Sequence, residues 1–320
     1  MRRGYADTRH GQVFYLQEGD QGDPVILMHQ SPRSSRMYEK VIPLLSPHYR
    51  VWALDMLGYG YSDPSPVVDD VVFALAEMVN DVVDSLELGR VHIYGLHTGA
   101  AVAAEACAAF PDKFETLTVF CFPILDQEAR DVMNEMHRSY GGYKSWDAEA
   151  DGTHLIRMWI RAMDDPVRWM LHTEHPPPDG WKYDIDNVSS KTYLPSPAKA
   201  THIWIQEHYL DYCEGMMIDF LLAGDAQKRG KSVYDSLYNR DPLPALSKIQ
   251  CPTLLIEPDS PYEAFFTQTA DRAVKLIPNA EIHRLANADD NISWWNPSTL
   301  SDAIHGYLQK HPIGAVAPSA

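Results

Sequence analysis

The sequence predicts an α/β fold: a mostly parallel sheet with helices on both faces, interrupted by a helical insertion. Three observations carry this. Short apolar runs alternate with longer amphipathic stretches up to about residue 123. From about Pro123 to Leu243 that alternation stops and Trp, Tyr, Met and His abound, before a strand-like run resumes at Pro252-Thr253-Leu254-Leu255-Ile256. Between apolar Val91–Tyr94 and the Ala-rich stretch Ala100–Phe110 stands Gly95-Leu96-His97-Thr98-Gly99, the pattern of a strand, a turn too tight for side chains, and a helix.

The elements follow in order. Residues 4–17 read as a β-hairpin with His10-Gly11 at its turn, and Val25–Met28 as a buried strand. A helix is expected over about Arg36–Leu45, and a strand at Val51–Leu54. From Asp69 to Leu86, Val72, Leu75, Val79, Val82, Val83 and Leu86 recur with a helical period. Strands are expected at Val91–Tyr94, Thr116–Phe122 and Glu281–Leu285, and helices at about Phe265–Leu276 and Thr299–Leu308.

Composition narrows the class. A chain of 320 residues, 45% hydrophobic, suits one large domain or a core with an inserted subdomain. A net charge of −17 argues against nucleic acid or an anionic membrane as partner. Cys107, Cys121, Cys213 and Cys251 form no Cys-x-x-Cys pair and suggest neither a zinc site nor a disulfide framework. The N-terminus lacks the apolar run of a signal peptide, and no stretch approaches the roughly 18 apolar residues of a membrane span. A reduced, cytoplasmic protein is the expectation.

Four segments stand in one order: His29-Gln30-Ser31-Pro32-Arg33-Ser34-Ser35, Asp55-Met56-Leu57-Gly58-Tyr59-Gly60-Tyr61-Ser62-Asp63, the Gly-x-His-x-Gly turn at 95–99, and Pro252–Ile256. Together they resemble the α/β-hydrolase superfamily, in the capped branch of haloalkane dehalogenases and epoxide hydrolases. The resemblance covers about residues 4–123 and 243–310. It implies the α/β-hydrolase fold, with a core of 1–123 and 243–320 and a helical cap of 124–242.

The family's catalytic order is nucleophile, acid, histidine. Here His97 occupies the nucleophile position, and the loop before Pro297 contains no histidine. Counting back from Pro297, the family's histidine position falls on Asp290, with Asp289 its neighbour. The resemblance thus implies an exchanged pair, His97 and Asp290. A carboxylate on one ring nitrogen fixes the tautomer, raises the imidazole's basicity and leaves the other nitrogen as acceptor. Such a unit serves as general base on a water or a substrate proton, or attacks directly.

The supporting acid falls in Glu257-Pro258-Asp259, with Asp259 first and Glu257 as alternative; Asp259 equally suits a turn cap. The resemblance places the oxyanion hole on the backbone N–H groups of Ser31 and Thr98. Gln30, where the family has glycine, and Arg33 are candidates to point into the site, as are Trp159 of the cap and Trp294 of the catalytic loop. A lid rich in aromatics, among them Trp169, Trp181, Tyr183, Trp204, Tyr209 and Tyr212, suits a small apolar or aromatic substrate. His172 and His175 are spaced for one helix face but lack an evident third ligand, so neither metal nor cofactor is expected. The edge strands and the cap each leave room for a homodimer.

The function expected is hydrolysis of an ester, lactone or related carbonyl compound. Two alternatives stay open: a cofactor-independent lyase, isomerase or decarboxylase in which His97 moves a proton, and an inactive ligand-binding protein.

Overall fold

The predicted N-terminal hairpin forms from β1 (Arg2–Thr8) and β2 (Gly11–Glu18). Strands β3 (Pro24–Met28), β4 (Arg50–Leu54), β5 (Val91–Leu96), β6 (Phe114–Phe120), β7 (Thr253–Asp259) and β8 (Ala280–Ala286) extend it into an eight-stranded sheet, ordered β1-β2-β4-β3-β5-β6-β7-β8. The structure, a computed structural model, describes residues 1–139, 149–156, 158–159, 162, 196–223, 233–259, 269–286 and 288–314. Only the two pairings of β2, with β1 and β4, are antiparallel.

Helices close both faces, which is why the central strands are apolar without alternation. Helices α1 (Ile42–Leu45), α2 (Val71–Ser85), α3 (Thr98–Ala109), α4 (Gln127–Ser139), α5 (Ser196–Ala223), α6 (Val233–Asn239), α7 (Leu243–Leu246), α8 (Ala270–Ala273), α9 (Ile292–Trp295) and α10 (Pro297–Leu308) are described. Ile26, Met28 and Ile93 face α2 and α3 in one buried cluster. Val25, Leu27 and Tyr94 join Ile42, Leu45 and Leu300 on the other face. Asp70 caps α2, its carboxylate accepting the Phe73 N–H at 3.0 Å.

Three expectations are corrected. The helix over 36–45 is two pieces, a 3-10 turn at Ser35–Tyr38 and α1. Pro43 sits at the start of α1, where its missing N–H is harmless; inside a continuous helix it would clash with the preceding turn. The strand expected to reach Phe122 ends at Phe120, because Cys121 turns to φ 51°. Of the helix expected at 265–276, residues 269–276 are described, and only 270–273 (α8) are helical, with a turn following; 260–268 fall outside the described residues.

The insertion contributes α4, α5 and α6; His172, His175, Trp169, Trp181 and Tyr183 lie outside the described residues, as do the side chains of Trp204 and Tyr209. Among the described residues no helix is long and apolar enough to cross a membrane.

The sheet order sets the site. The chain leaves β3 toward β4 on one side and returns as β5 on the other. Loops at the carboxyl ends of β3 and β5 therefore diverge, and a crevice opens between them. The segment 29–35 follows β3 and His97 follows β5, on either side of that crevice.

Candidate active site

His97 is the residue between β5 and α3, with φ 47° and ψ −112°. Such a backbone costs a non-glycine residue about 1–3 kcal/mol and persists only where its surroundings enforce it. They do so here. The His97 N–H donates to Phe120 O at 3.1 Å, and the His97 carbonyl accepts the Ala101 N–H at 3.1 Å. A Cβ on Gly95 would strike the Gly99 carbonyl, and one on Gly99 would strike the Met28 carbonyl. Both glycines are thus demanded by close backbone approach, as the motif implied.

Asp290 precedes α9, and its Oδ2 lies 4.0 Å from His97 Nε2. That is ion-pair range and longer than a hydrogen bond. The two side chains are 15% and 29% exposed. Asp289 is buried, and its Oδ1 accepts the Asn291 N–H at 2.8 Å. Asn291 Nδ2 in turn donates to Asp290 Oδ1 at 2.9 Å.

The loop 29–35 is braced from several sides. His29 Nε2 accepts the Met56 N–H at 2.9 Å, so its proton is on Nδ1, which donates to Gln30 O at 2.8 Å. The Ser35 N–H donates to Asp55 Oδ1 at 2.7 Å, and the Tyr61 N–H to Asp55 Oδ2 at 2.9 Å, tying the two loops together. Ser31 Oγ pairs with the Tyr59 hydroxyl at 2.8 Å, and the Tyr234 hydroxyl donates to Ser31 O at 2.9 Å. Ser31 and Gln30 are buried in this loop, and Thr98 opens α3 beside His97.

Burial pushes the His29 imidazole down to about 4, with Arg33 adding to the fall and Gln30 O opposing it. Burial likewise pushes His92 down to about 4, and Asp55 up to about 6. Between pH 6.5 and 4 the unfolded chain binds more protons at each histidine, so each contributes stability present above 6.5 and lost on acidification, about 3 kcal/mol. Asp55 runs the opposite way, as its folded form holds a proton the unfolded chain releases. It returns about 2–3 kcal/mol over the same window. A net loss of about 3 kcal/mol is expected from pH 7 to 4.5, read as urea unfolding free energy; a flat profile would contradict these assignments.

Arg33, a candidate for the pocket, is committed to internal partners. It is buried, with Nε donating to Asp219 Oδ2 at 3.0 Å and Nη1 to the Tyr212 hydroxyl at 3.0 Å and to Asn291 Oδ1 at 3.2 Å. Asp219 Oδ1 accepts Ser34 Oγ at 2.5 Å. Burial pushes the Asp219 carboxyl up, against the lowering by Arg33 and Ser34. Arg33 thus joins the insertion to the core rather than presenting free donors.

Trp294 is half-buried on α9, with Lys40 Nζ 3.7 Å above its ring and Tyr212 edge-on at 5.4 Å. Trp159 is half-buried and helical beside buried Met158. Asp259 ends β7 opposite Ala286, and its side chain lies outside the described residues. The alternative acid, Glu257, accepts Arg284 Nε at 3.1 Å and the Ala270 N–H at 3.3 Å; burial pushes its carboxyl up.

The residues that sequence reasoning passed over are Asn291, Asp219, Tyr59 and Tyr234, with Tyr212 named only as one lid aromatic. One signal was available. Tyr212, Met216, Asp219 and Ala223 lie three or four apart along α5 and are all buried, so Asp219 is an acid on an apolar helix face. A buried carboxylate requires a cation, and Arg33 is that cation.

The family model described as alpha/beta hydrolase fold matches residues 23–161. A haloalkane dehalogenase of Mycobacterium marinum is 31% identical over 116 residues, 35% of this chain and 39% of that enzyme. Another, of Psychrobacter cryohalolentis, is 33% identical over 106 residues, 32% and 35% of the two. The matches therefore span little more than a third of these relatives. A 2-hydroxy-6-oxo-6-(2'-aminophenyl)hexa-2,4-dienoic acid hydrolase of Metapseudomonas resinovorans is 25% identical over 215 residues, 65% of this chain and 64% of that enzyme. Among solved structures, the enol-lactonase of Burkholderia xenovorans LB400 superposes with a TM-score of 0.64 at 16% identity, covering 96% of this chain and all of that one (100%). A thermophilic esterase of Thermogutta terrifontis gives 0.62 at 19% identity, covering 97% and 100%. These structures share the fold: the chain has the α/β-hydrolase fold, and over about a third of its length its sequence is similar to those of haloalkane dehalogenases.

Proposed function

We propose that the chain hydrolyses an ester, lactone or related carbonyl compound with a largely apolar body, using His97 as general base. The observation that carries this is the placement of an imidazole at the strained turn after the central strand, with the Asp290 carboxylate 4.0 Å from its Nε2. A carboxylate on that side favours the tautomer with the proton on Nε2 and leaves Nδ1 as the ring's acceptor. Nδ1 takes a proton from water as the water oxygen attacks the carbonyl carbon. The backbone N–H groups of Thr98 and Ser31 receive the negative charge that develops on the carbonyl oxygen. As the tetrahedral intermediate collapses, the imidazolium returns its proton to the leaving oxygen and the ring is neutral again. Asp290 stays ionised throughout and balances the imidazolium.

The relatives' names support hydrolysis but do not supply the substrate. The dehalogenase reaction is not carried over, because the position after β5 holds an imidazole and no carboxylate. The insertion, acting as a cap with the half-buried Trp159 among its aromatic residues, favours an apolar substrate.

The test is turnover of a panel of p-nitrophenyl esters and alkyl lactones in water enriched in oxygen-18. One labelled oxygen in the acid product is expected. Unlabelled product carrying deuterium from heavy water would place the chemistry with proton transfer instead.

A further inference from the structure

We propose that Asn291 is the positioning residue that aims Asp290 at His97, and that Tyr212 and Arg33 set the direction of its amide. This rests on reading His97 as the base of the site.

The argument is one of donor and acceptor supply. Asp219, on α5, is fully buried and takes the Nε side of Arg33 at 3.0 Å. Arg33 has only donors. Its Nη1 donates to the Tyr212 oxygen at 3.0 Å, so the Tyr212 proton must go to another acceptor. That acceptor is Asn291 Oδ1, at 2.7 Å, which also takes Arg33 Nη1 at 3.2 Å. Two donors on one side fix the amide with oxygen toward the insertion and nitrogen away from it. The nitrogen meets Asp290 Oδ1 at 2.9 Å, which turns Oδ2 toward His97 Nε2 at 4.0 Å.

A flipped amide would set oxygen against the Asp290 carboxylate and N–H groups against Arg33, so the orientation is strongly determined. Arg33, Tyr212 and Asn291 are all nearly inaccessible to solvent, so water does not compete for these bonds. Tyr212 and Asp219 share α5, so the seating of that helix is felt at the carboxylate beside the base.

The test uses the full chain with 15N-labelled histidine and follows the His97 ring nitrogens through a pH titration, assigned by their loss in His97→Gln. It requires no substrate. Wild type is expected to show the tautomer protonated on Nε2. Asn291→Ala is expected to mix the tautomers and lower the His97 titration midpoint by about one pH unit, toward that of Asp290→Asn. Tyr212→Phe, which keeps the ring and loses one hydroxyl, is expected to move it the same way by less. In an Asp290→Asn background, Asn291→Ala is expected to add nothing, because its influence runs through that carboxylate. An unchanged midpoint in Asn291→Ala, or an equal shift in both backgrounds, would overturn the proposal. Should Asn291→Ala not fold, Tyr212→Phe in the two backgrounds gives the same decision. Activity surviving in His97→Ala would remove the hydrolytic reading and leave this linkage standing, so the two failures are told apart.

Discussion

Replacing His97 by alanine is expected to lower kcat/KM on an activated ester by about 10²–10⁴-fold, the contribution of a positioned general base. Serine at the same position is not expected to restore activity. A serine hydroxyl needs a base to activate it, and the residue opposite is Asp290, a carboxylate far less basic than imidazole. Stability should move the other way. His97 holds φ 47°, which glycine adopts without penalty, so His97→Gly is expected to be inactive yet more stable by about 1–3 kcal/mol. Paired ester assays and thermal melts of Ala, Ser and Gly variants check this. Activity in His97→Ala within tenfold of wild type would rule out the imidazole as base.

Asp219→Ala is expected to destabilise the chain by about 3–5 kcal/mol. The reason is not the bond lost but the charge left behind: Arg33 would keep a guanidinium in a site 3% exposed with its carboxylate removed. Ser34 Oγ would lose its acceptor too, keeping only the Arg36 N–H. Replacing both members of the pair with apolar residues, as in Arg33→Met with Asp219→Leu, is expected to recover most of that loss. The double variant should nonetheless stay impaired in catalysis, because one of the two donors that hold Asn291, and the donor that orients the other, go with Arg33. Urea unfolding of the single and double variants measures the first effect, and ester turnover the second. A loss under 1 kcal/mol in Asp219→Ala would show that the pair does not bind insertion to core.

Much of the fold was legible because it is local. Apolar runs marked the central strands β3 to β7, and the glycines at 95 and 99 marked the turn, since a tight backbone crossing is written directly as missing side chains. The helix expected at 36–45 divides at Pro43, whose ring decides where a helix starts. Asp290 could be named from its distance to Pro297, because the loop length there is set by the fold the motifs resemble. Asn291 could not. Its role depends on Tyr212, 79 positions away, and on Arg33, 258 positions away. No local pattern encodes a pairing of that separation. Arg33 looked like a pocket residue for the same reason, as its partner Asp219 lies 186 positions along the chain.

The most direct test of the central claim, an imidazole base sustained by Asp290, is the pH dependence of kcat/KM in wild type and Asp290→Asn. In wild type the rate should rise through one ionisation to a plateau, as His97 loses its proton and becomes a base. Removing the negative charge 4.0 Å away makes the imidazolium easier to deprotonate. The midpoint should therefore fall by about one pH unit, and the plateau by about 10²-fold, since a weaker and less well held base transfers the proton more slowly. An Asp290→Asn profile that overlays wild type in both midpoint and plateau would contradict the account.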